Sequence, residues 1–436
     1  MKKGLDFAHS ESHVFKLATP ATFGSKFFPL RFSHPSRFAS KLIKNFSKVI
    51  CLLSLFNAWH HCFAYDELVI KKAFELPQYI TFAGPVIKNV RIGYETYGRL
   101  NERADNAVLI CHFMTGTSHA AGKYHPLDAY PGYWDSLIGP GLTIDTKKYF
   151  VISSDTLVNL SVPDQHVITT GPASINLANQ KYYGFSFPIL TIQDFVRIQK
   201  ALADQLGIKR FKLVMGASMG AMQTLEWAVD YPEMVDRIIP VTSSGFEASA
   251  YFIQTLHNWS YPVMMDPQWS RGDYYGRRPP TRGLAQALEE VTLSSRSPAW
   301  AQNIFANKIA IEGQQPLQQW AYKYAIEETF TQAALARSNI SDANHFLYLV
   351  RAQQLFKAGN FADTQQAIER VQAKSLFISA SSDQLFFPEY AQTAVKELVR
   401  AGKQARYLEI KGIGGNLDGI TELESMGEQI KDFLEH

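Results

Sequence analysis

The sequence predicts an α/β fold, a mostly parallel sheet with helices on both faces, and three observations carry that prediction. Short apolar runs of strand character alternate with stretches of helical period, the order that builds a parallel sheet covered on both sides. One such run, through Leu213, Val214 and Met215, ends in Gly216-Ala217-Ser218-Met219-Gly220 and turns helical at once. Residues 246–373 then carry helical stretches with little strand signal, so a helical cap is expected to interrupt the sheet before its last strands.

In chain order, strand character is read at 86–96, 107–111 and 149–153. Thr191-Ile192-Gln193-Asp194 is a helix-capping signature. Ile192, Phe195, Val196, Leu202 and Leu206 follow at helical spacing, and Gly207 ends that helix. The strand into Ser218 comes next, then a helix with Leu225, Trp227 and Ala228 on one face, closed by Tyr231-Pro232. Residues 237–241 supply another strand. Helices are expected at 283–293, 319–334 and 341–356, strands at 375–378 and 405–410, and a closing helix at 424–434. The resulting division is a leader at 1–64, a first core segment at 65–245, the cap at 246–373 and a last core segment at 374–436.

The composition narrows the function. With 43 basic and 40 acidic residues the chain carries a net charge of +3, without the basic cluster on one face that nucleic-acid binding needs. The dense basic segment lies at the front, where Arg31, Arg37, Lys41, Lys44 and Lys48 precede an apolar run beginning at Val49. That run is too short for a stable membrane span and has the order of a signal peptide, with a small residue for cleavage at Ala64; an internal helix or an organellar leader is the alternative. Cleavage would make the mature protein periplasmic or secreted; without it the chain would be cytoplasmic. Cys51 and Cys62 fall in this leader, and Cys111 reads as a buried core thiol.

Gly-x-Ser-x-Gly between a strand and a helix is the context in which a serine stands exposed on a strained turn, with glycines letting the helix pack back on the strand. Ser218 is therefore the candidate nucleophile. Such a serine needs an acid that orients a base, in the chain order serine, acid, histidine. Asp383 follows the strand at 375–378, at the edge where ligands bind in open α/β sheets; a turn-forming aspartate is the alternative. The loop after the last strand, residues 411–419, should present the histidine and contains none.

Several longer runs stand out: Tyr94-Glu95-Thr96-Tyr97-Gly98, His112-Phe113-Met114-Thr115-Gly116-Thr117-Ser118-His119, Gly132-Tyr133-Trp134-Asp135, the Ser218 segment through Gln223, Asp266-Pro267-Gln268-Trp269 and Gly272-Asp273-Tyr274-Tyr275. Together they resemble the homoserine O-acetyltransferase family of α/β-hydrolase-fold proteins. The resemblance implies the α/β-hydrolase fold, Ser218 as nucleophile, Asp383 as the acid, and an oxyanion hole from the backbone N–H groups of Met114 and Met219. It also marks Asp418 and Tyr275 as substrate-binding positions. Asn416 stands where the family carries its histidine, in Gly414-Gly415-Asn416-Leu417-Asp418-Gly419, a form similar to a hydrolase-like branch in which Leu417 replaces the substrate-holding aspartate. A substrate arginine expected before Asp266 is replaced by Met264-Met265.

An amide has no titratable nitrogen near neutral pH, so Asn416 cannot serve as a general base. His112 and His119 occupy family-like positions and read as structural or pocket residues. The resemblance thus implies an acyl-transfer protein working through a Ser218 acyl-enzyme, with turnover suppressed at Asn416. The alternatives are an exported serine esterase of small acyl esters and a catalytically silent binding or scaffold relative. The expected partners are a small acyl ester or alcohol, with a homodimer as the family's frequent assembly. No bound cofactor and no metal are expected; acetyl-CoA would be the acyl donor in a cytoplasmic setting.

Overall fold

The computed structural model describes Tyr65 and residues 67–436, so the leader, its cleavage site, Cys51 and Cys62 lie outside the described residues. Eight strands form the main sheet: β1 Lys72–Ile80, β2 Val86–Tyr97, β3 Ala107–Cys111, β4 Phe150–Ser154, β5 Phe211–Ala217, β6 Arg237–Val241, β7 Lys374–Ala380 and β8 Ala405–Ile410. Their spatial order is β1-β2-β4-β3-β5-β6-β7-β8. The pairs from β4 to β8 are parallel, while β2 runs antiparallel to both its neighbours.

The period of two along each strand divides the core. Leu109, Val214, Ile238 and Phe377 join one apolar cluster, with residues of α1 Ile192–Gln205 and α2 Met219–Asp230. Val108, Ile110, Leu213, Met215, Ile239 and Ile378 point the other way, onto Trp134, Leu137, Ile430 and Phe433. Thr191 caps α1 as its sequence foretold: its backbone N–H donates to Asp194 Oδ2 at 2.7 Å and its hydroxyl accepts from Asp194 N. Cys111 is fully buried, and burial pushes its thiol well above the ordinary value.

Between β6 and β7 the chain is helical: α3 Ala250–Met265, α4 Thr281–Ser294, α5 Pro298–Ile304, α6 Ala325–Ser338, α7 Ala343–Gln354 and α8 Thr364–Arg370. After β7 come α9 Pro388–Arg400, the short α10 Asp418–Thr421 and α11 Gly427–Glu435. The helix expected from residue 319 begins only at Ala325. There Glu327 reaches back to accept from Tyr324 N at 2.7 Å, fixing the start of α6. Among the described residues no helix is long and apolar enough to cross a membrane.

The loops that follow β3, β5, β7 and β8 all leave the carboxyl edge of the sheet. That edge collects the candidate chemistry.

Candidate active site

Ser218 joins β5 to α2 with φ 58° and ψ −117°, a left-handed conformation that costs a non-glycine residue roughly 1–3 kcal/mol. Its small neighbours are required by close approach. A methyl group on Gly216 would lie 2.5 Å from the Cys111 carbonyl oxygen, and one on Gly220 only 2.1 Å from the same atom. The Ser218 N–H donates to Val241 O at 3.0 Å, tying the turn to β6. The residue is 8% exposed, at the wall of a cavity of about 260 Å³.

Asp383 sits in the turn after β7. Its Oδ1 accepts from the N–H groups of Leu385 and Phe386, both at 2.9 Å, and its Oδ2 accepts from Asn416 Nδ2 at 2.8 Å. Burial pushes its pKa up to about 7, against the opposing pull of these three hydrogen bonds. Asn416 is presented by the loop after β8. Asp418 Oδ2 accepts from Gly414 N at 2.9 Å, Ser382 Oγ accepts from Gly415 N at 3.1 Å, and Gly415 takes φ 75°. A side chain on Gly415 would collide with Ser295 O at 2.7 Å, so the loop lies directly on the end of α4. With its amide nitrogen given to Asp383, Asn416 retains only a carbonyl oxygen as an acceptor.

Met219 is the first residue of α2, so its N–H has no intrahelical acceptor. Neither it nor the N–H of Met114 donates to any other acceptor among the described residues, and Met114 lines the cavity with Ser218. The segment bearing Met114 is pinned from behind. Trp227 Nε1 donates to Gln199 Oε1 at 2.8 Å, Gln199 Nε2 to Gln223 Oε1 at 2.8 Å, and Gln223 Nε2 to His112 O at 3.2 Å. His112 Nδ1 bonds Phe113 O at 2.7 Å, which leaves Nε2 to accept from Thr156 N at 3.2 Å. Burial pushes His112 below its ordinary pKa, so this imidazole is a neutral clamp on the backbone.

His119 is also engaged, its Nδ1 lying 3.1 Å from Glu95 Oε2. Glu95, itself fully buried, anchors a cluster: Lys71 Nζ is 3.0 Å from its Oε1, and Tyr97 OH donates to its Oε2 at 2.8 Å. Burial alone would raise the Glu95 pKa, but the hydrogen bond from His119 and the positive charge of Lys71 hold it down at about 2. The cluster supports the same loop, because Asp155, also paired with Lys71 at 3.3 Å, accepts from Ser118 N at 2.8 Å.

The cavity is lined by Ser218, Asn416 and Met114, with Trp259, Leu385 and Leu417 among the rest. No histidine lines it, and among the described residues no group of His, Cys, Asp and Glu is arranged to hold a metal. Asp383 stands behind Asn416. Asp418 and Tyr275, expected as substrate contacts, do not line the cavity. The Asp418 carboxylate is spent on Gly414, and Tyr275 OH donates to Asp342 Oδ1 at 3.0 Å while its ring stacks on Tyr182. Met264 and Met265 likewise do not line it; they stand at the end of α3, where they are 38% and 62% exposed. The charged residues that do face the cavity, Arg296 and Arg337, were missed by sequence reasoning. They lie on separate cap elements whose packing no local pattern reveals. A wider depression of about 720 Å³ between β8 and α11 holds none of these groups.

The profile of a family described as alpha/beta hydrolase fold matches residues 171–414. The homoserine O-acetyltransferase of Deferribacter desulfuricans is 36% identical over 82% of this chain and 94% of its own length. That of Symbiobacterium thermophilum is 37% identical over 81% and 91%. Among solved structures, esterase E22 superposes with a TM-score of 0.81 at 42% identity, over 84% of this chain and 100% of the other. The homoserine O-acetyltransferase from Bacillus anthracis gives 0.81 at 35% identity, over 85% and 98%. The chain belongs to the homoserine O-acetyltransferase family of α/β-hydrolase-fold proteins.

Proposed function

We propose that this chain takes the acyl group of a small ester onto Ser218 and passes it to water, at a rate far below that of a complete serine triad. The observation that carries this reading is the 2.8 Å bond from Asn416 to Asp383 on the wall of the cavity that holds Ser218. An acid and its oriented partner are both present, and the partner cannot titrate. In acylation, Ser218 Oγ attacks the ester carbonyl and the Met114 and Met219 N–H groups receive the developing oxyanion. The C–O bond to the alcohol then breaks, and the leaving alkoxide takes its proton from solvent. The serine proton must go to solvent, because the Asn416 carbonyl cannot accept it. Losing the base of a triad costs roughly a millionfold in turnover and leaves about 10³–10⁴ over water from the oxyanion hole and binding.

Water, and not homoserine, is the acceptor this reading favours. Leu417, the position the resemblance gives to a substrate-holding aspartate, faces the cavity as an apolar side chain, and the 42%-identical structure is that of an esterase. An exported location would favour the same acceptor, since acetyl-CoA is a cytoplasmic donor. The missing base also supports a second reading, a silent relative that binds an ester without cleaving it.

Activated esters separate the two. A phenolic leaving group needs no protonation to depart, whereas deacylation by water still lacks a base, so the acyl-enzyme should accumulate. Incubation with 4-nitrophenyl acetate followed by intact-mass measurement should show one acetyl group per chain, absent in Ser218→Ala. An unlabelled native chain would leave only the silent reading.

A further inference from the structure

The cavity around Ser218 carries charge of one sign. Its lining includes two guanidinium groups, Arg296 and Arg337, and no carboxylate. Neither arginine takes part in an ion pair among the described residues. Arg296 follows α4, with its guanidinium over the Trp300 ring at 4.5 Å. Its Nη1 reaches Gly414 O only at 3.5 Å, and its Nε is buried without a partner. The acid that acts on it, Asp418, accepts from Gly414 N at 2.9 Å and offsets part of the Arg296 charge without forming an ion pair. Arg337, on α6, donates from Nη1 to Thr292 Oγ1 at 3.1 Å and has no other acceptor among the described residues. Burial holds Arg337 below the ordinary guanidinium value, and no acid among the described residues offsets it.

A guanidinium offers five donors in a rigid fork that matches a carboxylate, and an unpaired charge out of water is unfavourable until a counter-ion arrives. The cavity wall otherwise offers only neutral polar groups, such as Thr292, Ser295 and Gln353. At about 260 Å³ the space suits a small molecule. We propose that Arg337, with Arg296 in the same cavity, is the specificity-determining residue for substrates that carry a carboxylate in addition to the ester attacked by Ser218. The proposal rests on the acyl-transfer reading for the ester and on the two arginines for the anion. The carboxylate can sit on the acyl side or on the alcohol side of that ester.

The anion site is tested by binding, independently of turnover. Glutarate should bind the full native chain in calorimetric titration and raise its melting temperature, while neutral dimethyl glutarate should do neither. Arg337→Met should weaken glutarate at least tenfold, and Arg337→Lys should recover part of the loss. Both variants are first checked for native circular dichroism. Absence of glutarate binding, or equal binding by a folded Arg337→Met chain, overturns the proposal. Acylation then distinguishes the two sides of the ester. The monoanionic 4-nitrophenyl glutarate is compared with 4-nitrophenyl valerate, and 4-acetoxybenzoate with 4-acetoxytoluene, each by intact mass against time. At least one anionic ester should label Ser218 ten times faster than its neutral counterpart; equal rates in both pairs overturn the proposal. If no ester labels the chain, the acyl-enzyme reading fails, and the glutarate titration still decides whether the anion site exists.

Discussion

Asn416 gives its Nδ2 hydrogen to Asp383 Oδ2 across 2.8 Å, and that carboxylate is held from its other side by the N–H groups of Leu385 and Phe386. An imidazole at residue 416 would find this acceptor already in place, oriented and buried. What the pair lacks is a titratable nitrogen.

Asn416→His should raise hydrolysis of 4-nitrophenyl acetate by at least about 10²-fold, since general-base catalysis contributes typically 10²–10⁴. The gained activity should rise with pH as the imidazole loses its proton and should vanish in the Ser218→Ala double variant. A folded variant with no gain would mean that the ring does not reach Ser218.

Asp383 sets a pH dependence of stability. Its folded-state pKa, about 7, lies above the ordinary aspartate value of 3.8, so between those values the folded chain holds a proton that the unfolded chain has released. Its contribution to stability is therefore greatest at low pH and declines as pH rises from about 4 to about 7. Urea unfolding at pH 5 and pH 8 should show a larger loss for the native chain than for Asp383→Asn, which has no proton to lose. Parallel slopes for the two chains would contradict the assignment.

The left-handed turn at Ser218 stores strain that glycine would relieve. Ser218→Gly should be more stable than Ser218→Ala by about 1–2 kcal/mol, because only the glycine accepts φ 58° and ψ −117° without cost. Denaturant midpoints compared at matched slope are the measurement. Equal midpoints would show an unstrained turn.

Lys71→Met should destabilise the chain by about 3–5 kcal/mol. It leaves Glu95 and Asp155, both with fully buried side chains, without their shared ammonium. The loss should shrink as pH falls from about 4.5 towards about 2, where Glu95 takes up its proton in the folded native chain. A uniform loss across pH would point to packing of the lysine stem instead.

Where a feature is local, the sequence displays it. The apolar run of β5, the glycines flanking Ser218 and the capping pair of α1 each act within a few residues, and each has the structure its pattern predicts. β1 was not foreseen because it is a sheet-edge strand with Pro77 inside it and Phe74 as its only fully buried side chain, which leaves little alternation to read. Much of α3 escaped for a similar reason, since Pro262 lies inside it. Tyr275 shows the limit of a motif. It sits in a run shared with the family, yet its hydroxyl, like that of Tyr274, serves Asp342, the residue that caps α7 by accepting from His345 N at 2.9 Å. Arg337 shows the converse, because its partner Thr292 lies on α4 and only the packing of α4 against α6 brings the two together.

The Asp383 acceptor behind residue 416, the close-packed glycine loop that carries it and the unpaired amides beside Ser218 stand around a side chain that cannot titrate. The codons for asparagine and histidine differ only in their first base. In evolutionary terms the scaffold lies one transversion from carrying serine, acid and imidazole together, and natural variants of this gene are where an imidazole at 416 should be sought.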